Sequence, residues 1–167
     1  MLFPRTILLL VFILAAVASP QKHFTTTDLQ KLRWIEGTWR GTGDVEQPFF
    51  ERYRFEKDST LAVDSFEDEK LTKVTDTTRY ELKDGEFGGG NEGFRWVATS
   101  IDDRSVSFAP VTKARNSFRF ERESKDSWKA VLNWPATADK RARQRIYKME
   151  RWPPRSEVGD QRSEVRD

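Results

Sequence analysis

The sequence predicts an all-β fold, an antiparallel up-and-down β-barrel of about 8–10 strands with a short N-terminal helix. The main observation is that apolar and polar residues alternate through short segments, most clearly from Phe49 to Glu56, and that turn-forming residues separate these segments. Such alternation is typical of strands with one buried face. A helical pattern occurs in one brief segment, at residues 28–32. Closure into a barrel would pair the sheet edges that a meander leaves exposed, and a two-sheet sandwich is the competing architecture.

Length and composition limit the possible classes of protein. A chain of 167 residues allows one domain, and its 29 basic and 27 acidic residues give a net charge of +2. A surface that mixes both signs lacks the one-sided basic field that nucleic acid or an anionic membrane would require, so we expect neither as a partner. The absence of cysteine excludes disulfides and thiolate metal sites.

Residues 1–18 have the pattern of a secretory signal peptide. Arg5 supplies the positive start, residues 6–17 form the apolar core, and Ala16-Val17-Ala18 offers small residues for cleavage. The apolar run is shorter than the roughly 20 residues that a membrane-spanning helix needs. We therefore expect a secreted or periplasmic protein without membrane insertion after cleavage, the alternative being an uncleaved anchor.

The predicted elements follow in order along the chain. Thr27 or Asp28 would cap a short helix that ends at Leu32. Leu29, Leu32 and Ile35 would share a face that plugs one end of the barrel. The barrel domain spans residues 25–152, and the charged tail at 153–167 is expected to be disordered. The glycine run at 88–91 is interpreted as a flexible connection. Strands are predicted at 34–43, 49–56, 60–66, 71–82, 93–101, 105–111, 117–123, 128–134 and 143–151.

The segment Gly37-Thr38-Trp39-Arg40-Gly41-Thr42-Gly43 resembles the opening of lipocalin-like (calycin) barrels, and its Gly-Thr-Trp-x-Gly-x-Gly pattern is similar to that of the haem-binding nitrobindins. The resemblance implies that Trp39 packs at the closed end of the barrel against an arginine of the last strand, which would be Arg145, or else Arg143 or Arg151. Further segments resemble uncharacterised exported lipocalin-like domains of bacteria, namely Ala109-Pro110, Asn116-Ser117-Phe118, Asp126-Ser127-Trp128 and Tyr147-Lys148-Met149-Glu150-Arg151. This likeness covers most of residues 28–152 and bears on the fold more than on the function.

More polar side chains are predicted to face the barrel interior than a filled core requires. Buried charge is costly unless it is paired, so two arrangements are possible. In one, Glu51 and Asp76 neutralise arginines around a packed interior, which would suit an envelope interaction module. In the other, the interior is a partly hydrated cavity. The predicted inward polar residues are Glu51, Tyr53, Asp76, Tyr80, Asn116, Arg122, Arg145 and Tyr147.

The cavity alternative predicts non-covalent binding of a small, largely apolar ligand. Aromatic walls would hold the body of the ligand, and Arg122 or Arg145 would orient an anionic head, since small-molecule sites combine apolar walls with a few placed polar groups. A barrel enzyme that uses Glu51 or Asp76 with a tyrosine as acid–base groups is the other functional hypothesis. The predicted ligand-binding residues are Glu51, Tyr53, Tyr80, Asn116, Phe118, Phe120, Arg122, Trp128, Arg145 and Tyr147.

No cofactor and no metal are expected. A nitrobindin-like haem site needs an axial histidine on the barrel, whereas the only histidine, His23, lies in the N-terminal arm, and tyrosine is the rarer iron ligand. One histidine and no cysteine also leave the usual nucleophile–base pairs incomplete. The carboxylates Asp64, Glu67, Asp68 and Glu69 lack the alternating spacing of a calcium loop and are interpreted as a solvated hairpin tip.

Overall fold

A computed structural model of the chain describes residues 22–44 and 47–153. In these ranges the chain forms a short α-helix, a 3₁₀ helix and ten β-strands. Their bounds are α1 Thr26–Gln30, the 3₁₀ helix Arg33–Ile35, β1 Gly37–Thr42, β2 Phe49–Glu56, β3 Thr60–Phe66, β4 Val74–Lys83, β5 Glu86–Gly90, β6 Arg95–Ile101, β7 Ser105–Thr112, β8 Ser117–Arg122, β9 Ser127–Trp134 and β10 Arg143–Arg151. The predicted signal peptide at 1–18 and residues 154–167 of the predicted tail lie outside the described residues. No helix within the described ranges is long and apolar enough to cross a membrane.

The strands form one closed antiparallel barrel. Each strand pairs with the next in sequence, and β1 pairs with β10 to complete the ring, which leaves no strand of the barrel at an edge. The all-β class and the up-and-down barrel are therefore confirmed, and the two-sheet sandwich is excluded. The two faces of β2 also follow the predicted alternation, because Tyr53 is buried in the core whereas Arg52 is exposed.

The N-terminal helix begins earlier than predicted because Thr25 caps it. The Thr25 hydroxyl accepts a hydrogen bond from the backbone N–H of Asp28 at 3.3 Å, and the Asp28 carboxylate accepts one from the backbone N–H of Thr25 at 3.0 Å. This capping box satisfies two amides that would otherwise lack partners. Thr27, one of the predicted caps, lies inside the helix instead. Leu29 and Leu32 are fully buried in the core, as predicted for residues that plug one end.

The helix α1 and the segment before it lie over one end of the barrel, which we call the closed end. The Gln30 side-chain amide donates to Asp58 in the β2–β3 turn at 2.9 Å. The Phe24 backbone N–H donates to the carbonyl of Gly85 in the β4–β5 turn at 2.7 Å. Because the strands alternate in direction, the connections that follow β1, β3, β5, β7 and β9 lie at the opposite, open end.

Trp39 is buried at the closed end, as the resemblance implies. Its indole N–H donates to the Ile35 carbonyl at 2.7 Å, and the Arg151 guanidinium lies 4.1 Å from the centroid of the indole ring. The predicted contact with a last-strand arginine is therefore confirmed for Arg151. Arg145 is the wrong residue for this contact, because it lies near the start of β10, towards the open end. The strand register decides the matter, since Trp39 pairs directly with Arg151.

The glycine run at residues 88–91 is not a flexible connection, as the sequence suggested. Its three glycines belong to β5, which pairs with β4 and β6 and buries Phe87 completely. A β-carbon on Gly89 would lie 1.8 Å from the carbonyl oxygen of Arg79, so this strand can approach β4 only without side chains. Glycines carry no apolar–polar alternation, which is why the sequence pattern did not reveal the strand.

Asp64 does not belong to a solvated hairpin tip, although the remaining carboxylates of the run from Asp64 to Glu69 are exposed. It lies within β3 and is only 7% exposed. The Arg54 Nε donates to its Oδ2 at 2.9 Å, and the Thr77 hydroxyl donates to its Oδ1 at 2.8 Å. The hydrogen bond from Arg54 is the main reason that the pKa of Asp64 lies below its ordinary value, although burial opposes the shift.

Asp64→Asn is expected to lower the free energy of unfolding by about 1.5–3 kcal/mol, the usual contribution of a hydrogen bond to a charged group. Because the folded-state pKa of Asp64 is lowered, its stabilisation is complete above the unfolded-state pKa and is lost as the pH falls through the folded-state pKa. Urea unfolding of both proteins at neutral pH and at about pH 2 should therefore show a smaller difference in acid. An equal difference in the free energy of unfolding at both pH values would contradict the lowered folded-state pKa of Asp64.

Candidate functional site

The barrel interior contains a cavity of about 250 Å³. It brings together most of the predicted ligand-binding residues, namely Glu51, Tyr53, Tyr80, Asn116, Phe118, Phe120, Trp128 and Tyr147. The prediction missed eight further lining residues, which are Phe49, Val63, Ser65, Thr78, Trp96, Ala130, Leu132 and Met149. Several of these lie on the same face of a strand as a predicted residue, as Thr78 does with Tyr80. The alternation of the sequence could therefore have indicated that they face the interior.

One wall of the cavity is aromatic and comes from the adjacent strands β8 and β9. The ring centroids of Phe118 and Phe120 are 5.1 Å apart, and those of Phe120 and Trp128 are 4.9 Å apart. Ala130 pairs with Phe120 on one side and with Tyr147 on the other. A methyl group between two rings leaves room in the barrel, so Ala130 is one reason that this interior is not filled.

Gly41 permits a second aromatic wall towards the open end. A β-carbon at this position would lie 2.2 Å from Cζ of the Phe49 ring, so the ring can occupy its place only because residue 41 has no side chain. Phe49 in turn meets Tyr147 edge to face, with ring centroids 5.3 Å apart. Both rings line the cavity.

Glu51 is the one carboxylate among the described residues that line the cavity. The Tyr53 hydroxyl donates to its Oε2 at 2.7 Å, and no lysine or arginine in the described part of the chain forms an ion pair with it. Burial raises the pKa of Glu51, and the hydrogen bond from Tyr53 only partly opposes this. Burial, together with the nearby Glu51 charge, also raises the pKa of both Tyr53 and Tyr80, so these phenols stay protonated at neutral pH.

Two predicted cationic residues do not line the cavity. Arg122 is the last residue of β8, at the closed end, where its Nε donates to the Ser124 carbonyl at 3.2 Å. Arg145 lies near the open end, where its Nη1 donates to the Tyr147 hydroxyl at 3.0 Å. Both arginines have the inward strand parity that the sequence predicts, but parity does not specify depth along the barrel axis. The cationic end that the sequence predicts for the aromatic wall is therefore not part of the cavity lining.

Asp76 and His23 also lie outside the cavity. Asp76 pairs with the cavity-lining Ser65 and so has the predicted inward parity, but it is exposed near the open end, where its Oδ2 accepts a hydrogen bond from the Asn91 side-chain amide at 2.9 Å. His23 is exposed beside Gly85 at the closed end. The predicted arrangement in which Glu51 and Asp76 neutralise Arg122 and Arg145 is absent from the described residues.

A larger depression of about 550 Å³ lies on the outer surface at the open end, around Trp134 and Arg143. The Arg143 guanidinium already lies over the Trp134 ring, 4.3 Å from its centroid. Each of the two side chains therefore already makes the cation–π contact that it could otherwise make with a ligand. The interior cavity is the stronger candidate, because it combines apolar walls with a carboxyl group that forms no ion pair with any described residue.

Glu51→Gln is expected to raise the free energy of unfolding at neutral pH and to change it little in acid. Because burial raises the folded-state pKa of Glu51, the folded protein retains a proton that the unfolded chain releases. The free energy of unfolding of the wild type therefore falls as pH rises from the unfolded-state to the folded-state pKa. Urea unfolding of both proteins between about pH 3 and pH 8 measures this difference. If the stability of the wild type relative to Glu51→Gln increased with rising pH, this prediction would be refuted.

No protein family and no curated protein matches the chain. Among solved structures, the chain is similar to EF1p2_mFAP2b bound to DFHBI, with 11% sequence identity and a TM-score of 0.38 over 74% of this chain and 98% of that one. At this TM-score the likeness carries no argument. Membership of the lipocalin-like families stays a prediction, with which a closed antiparallel barrel is compatible.

Proposed function

We propose that the protein binds a small, largely apolar molecule non-covalently in the barrel cavity. The observation that supports this function is a cavity of about 250 Å³ with aromatic walls and a minority of polar groups. An engineered protein cavity of about 150 Å³ with apolar lining binds benzene. A molecule with one or two rings is therefore of suitable size for this interior.

The polar groups of the cavity would orient the ligand. They are hydroxyl, amide and carboxyl groups, from Tyr53, Tyr80, Asn116, Tyr147, Ser65, Thr78 and Glu51. The anionic head expected from the sequence is not retained in this proposal, because neither Arg122 nor Arg145 lines the cavity.

Titration calorimetry with 2-phenylethanol, a compact neutral probe, tests the proposal. We expect saturable binding of one molecule per chain with a Kd of about 0.1 mM, which corresponds to about −5.5 kcal/mol. A buried ligand of this size can supply that free energy. The absence of saturable heat at millimolar probe would contradict ligand binding and favour an interaction module.

A barrel enzyme is the second candidate, and the hydrogen bond between Tyr53 and Glu51 is the observation that favours it. A carboxyl group with a raised pKa beside a phenol is suited to proton transfer. Asp76 has no place in such a site, because it lies outside the cavity. Turnover of a compact aromatic ester that disappears in Glu51→Gln, while 2-phenylethanol still binds, would support the enzyme over the binding protein.

Export remains part of the proposal. Its support is the sequence of residues 1–18, with Arg5 followed by an apolar run and small residues at the cleavage position. Determining the N-terminal sequence of the protein isolated from its own host would test cleavage near residue 18. An intact N-terminus would favour the uncleaved anchor.

A further inference from the structure

We propose that the ligand is an organic ammonium, a protonated amine on an apolar body, and that Glu51 is its counter-ion. This inference rests on the proposed function of the cavity and adds the charge class of the molecule that the cavity binds.

The charge of the cavity lining favours a cationic ligand. Glu51 is the only acidic or basic side chain among the described residues that line the cavity, where the other polar side-chain groups are hydroxyls, an amide and the indole N–H groups of Trp96 and Trp128. A buried charge normally has a partner, since an isolated one is costly. No partner of opposite charge is found for Glu51 in residues 22–44 and 47–153. A cationic ligand would supply this missing partner.

The geometry of the Glu51 carboxylate leaves one oxygen available to a ligand. The Tyr53 hydroxyl donates a hydrogen bond to Oε2 of Glu51 at 2.7 Å. Oε1 accepts no hydrogen bond from any described residue, so it remains available to an N–H donor in the cavity. The Tyr53 bond also restrains the carboxylate, which prepares it for a ligand without further ordering.

Aromatic residues lie next to Glu51 in the barrel. Phe49 and Tyr53 flank it on the same face of β2, and Tyr147 contacts Phe49 at 5.3 Å between centroids. Aromatic faces attract ammonium groups, most strongly where water is excluded. A carboxylate between aromatic rings is suited to an ammonium head, and the wall of Phe118 and Phe120 is suited to its apolar body.

Other ligand classes fit less well. An anionic ligand would place a second negative charge beside Glu51, and no arginine or lysine of the described chain lines the cavity to compensate. A metal cation would need several ligating side chains, and the described residues contain no group of three or more that could hold one. An organic cation needs only the carboxylate and the rings.

Titration calorimetry with three probes of one shape tests the inference at neutral pH. The probes are 2-phenylethylamine, 2-phenylethanol and phenylacetate, which carry a positive, a neutral and a negative head. We expect the wild type to bind the amine at least about tenfold more tightly than the alcohol, a difference of about 1.4 kcal/mol, and to bind phenylacetate most weakly. In Glu51→Gln the amine should lose this advantage, so that the variant binds the amine and the alcohol with similar affinity.

Asp76→Asn is the matched control, because it removes an exposed carboxylate of the same barrel outside the cavity. It should leave the preference for the amine intact. An equal loss in Asp76→Asn and Glu51→Gln would overturn the inference, since it would indicate general electrostatic attraction. If Glu51→Gln does not fold, Glu51→Met replaces it as a variant of similar size without charge.

The remaining outcomes separate this inference from the proposed function. Equal binding of the amine and the alcohol by the wild type would overturn the ammonium proposal and leave the binding function standing. Tightest binding of phenylacetate would also overturn it and would indicate a contribution from Arg145. Failure of all three probes would contradict the binding function itself.

Discussion

Trp39→Ala is expected to lower the free energy of unfolding by about 3–5 kcal/mol, the usual cost of removing a large buried aromatic side chain. Trp39 is 1% exposed, contacts Trp128 edge to face at 6.0 Å and lies under the Arg151 guanidinium. Loss of the indole would also remove the hydrogen bond that the Ile35 carbonyl accepts from the Trp39 N–H at 2.7 Å. Urea unfolding followed by circular dichroism measures the change.

Substitution by phenylalanine isolates the contribution of the indole N–H. Trp128 is equally buried, but its Nε1 has no hydrogen-bond partner in the described part of the chain. Trp39→Phe removes a buried hydrogen bond and Trp128→Phe does not, so Trp39→Phe should cost about 1 kcal/mol more. Equal costs for the two substitutions would show that the Trp39 hydrogen bond contributes nothing measurable.

Ala130→Phe is expected to abolish binding of 2-phenylethanol while the barrel stays folded. Ala130 lines the cavity between Phe120 and Tyr147, so a phenyl group at this position would occupy the space of the ligand. We expect at least about a hundredfold loss of affinity, equivalent to about 2.8 kcal/mol. The melting temperature should change little or rise, because the added ring fills a void. Calorimetry with 2-phenylethanol and thermal unfolding measure the two effects.

Val131→Phe is the matched control for this prediction. Val131 is the next residue of β9 and faces outward, where a phenyl group does not reach the cavity. The Val131→Phe variant should bind 2-phenylethanol with the same affinity as the wild type. If Ala130→Phe also bound the probe normally, the binding site would have to lie outside the barrel interior.

The fold could be predicted because apolar–polar alternation marks most of the strands separately, with the glycine-rich β5 as the exception. From Phe49 to Glu56 the inward and outward faces agree with the structure, and the predicted order of strands is the order of pairing around the barrel. The capping residue was missed because Thr25, Thr27 and Asp28 are all good caps, and the choice depends on the reciprocal bond between Thr25 and Asp28.

The candidate site could be predicted only in part, because strand parity gives the face of a residue and not its depth. Arg122 and Arg145 share the inward parity of Phe120 and Tyr147, yet they lie near opposite ends of the barrel. Depth follows from the register between strands, and register depends on turn lengths and irregularities such as the shift between Ser65 and Phe66. The space around Ala130 is likewise a property of packing across strands, which one strand does not reveal.

A crystal structure of the protein grown with 2-phenylethylamine tests the central claim most directly, because it locates the probe. We expect one molecule inside the barrel, with its ring against Phe118 and Phe120. Its nitrogen should lie about 2.7–3.2 Å from a Glu51 carboxylate oxygen, the distance of a hydrogen bond. A barrel interior that contains only side chains and water at saturating probe, or a probe bound solely on the outer surface, would contradict it.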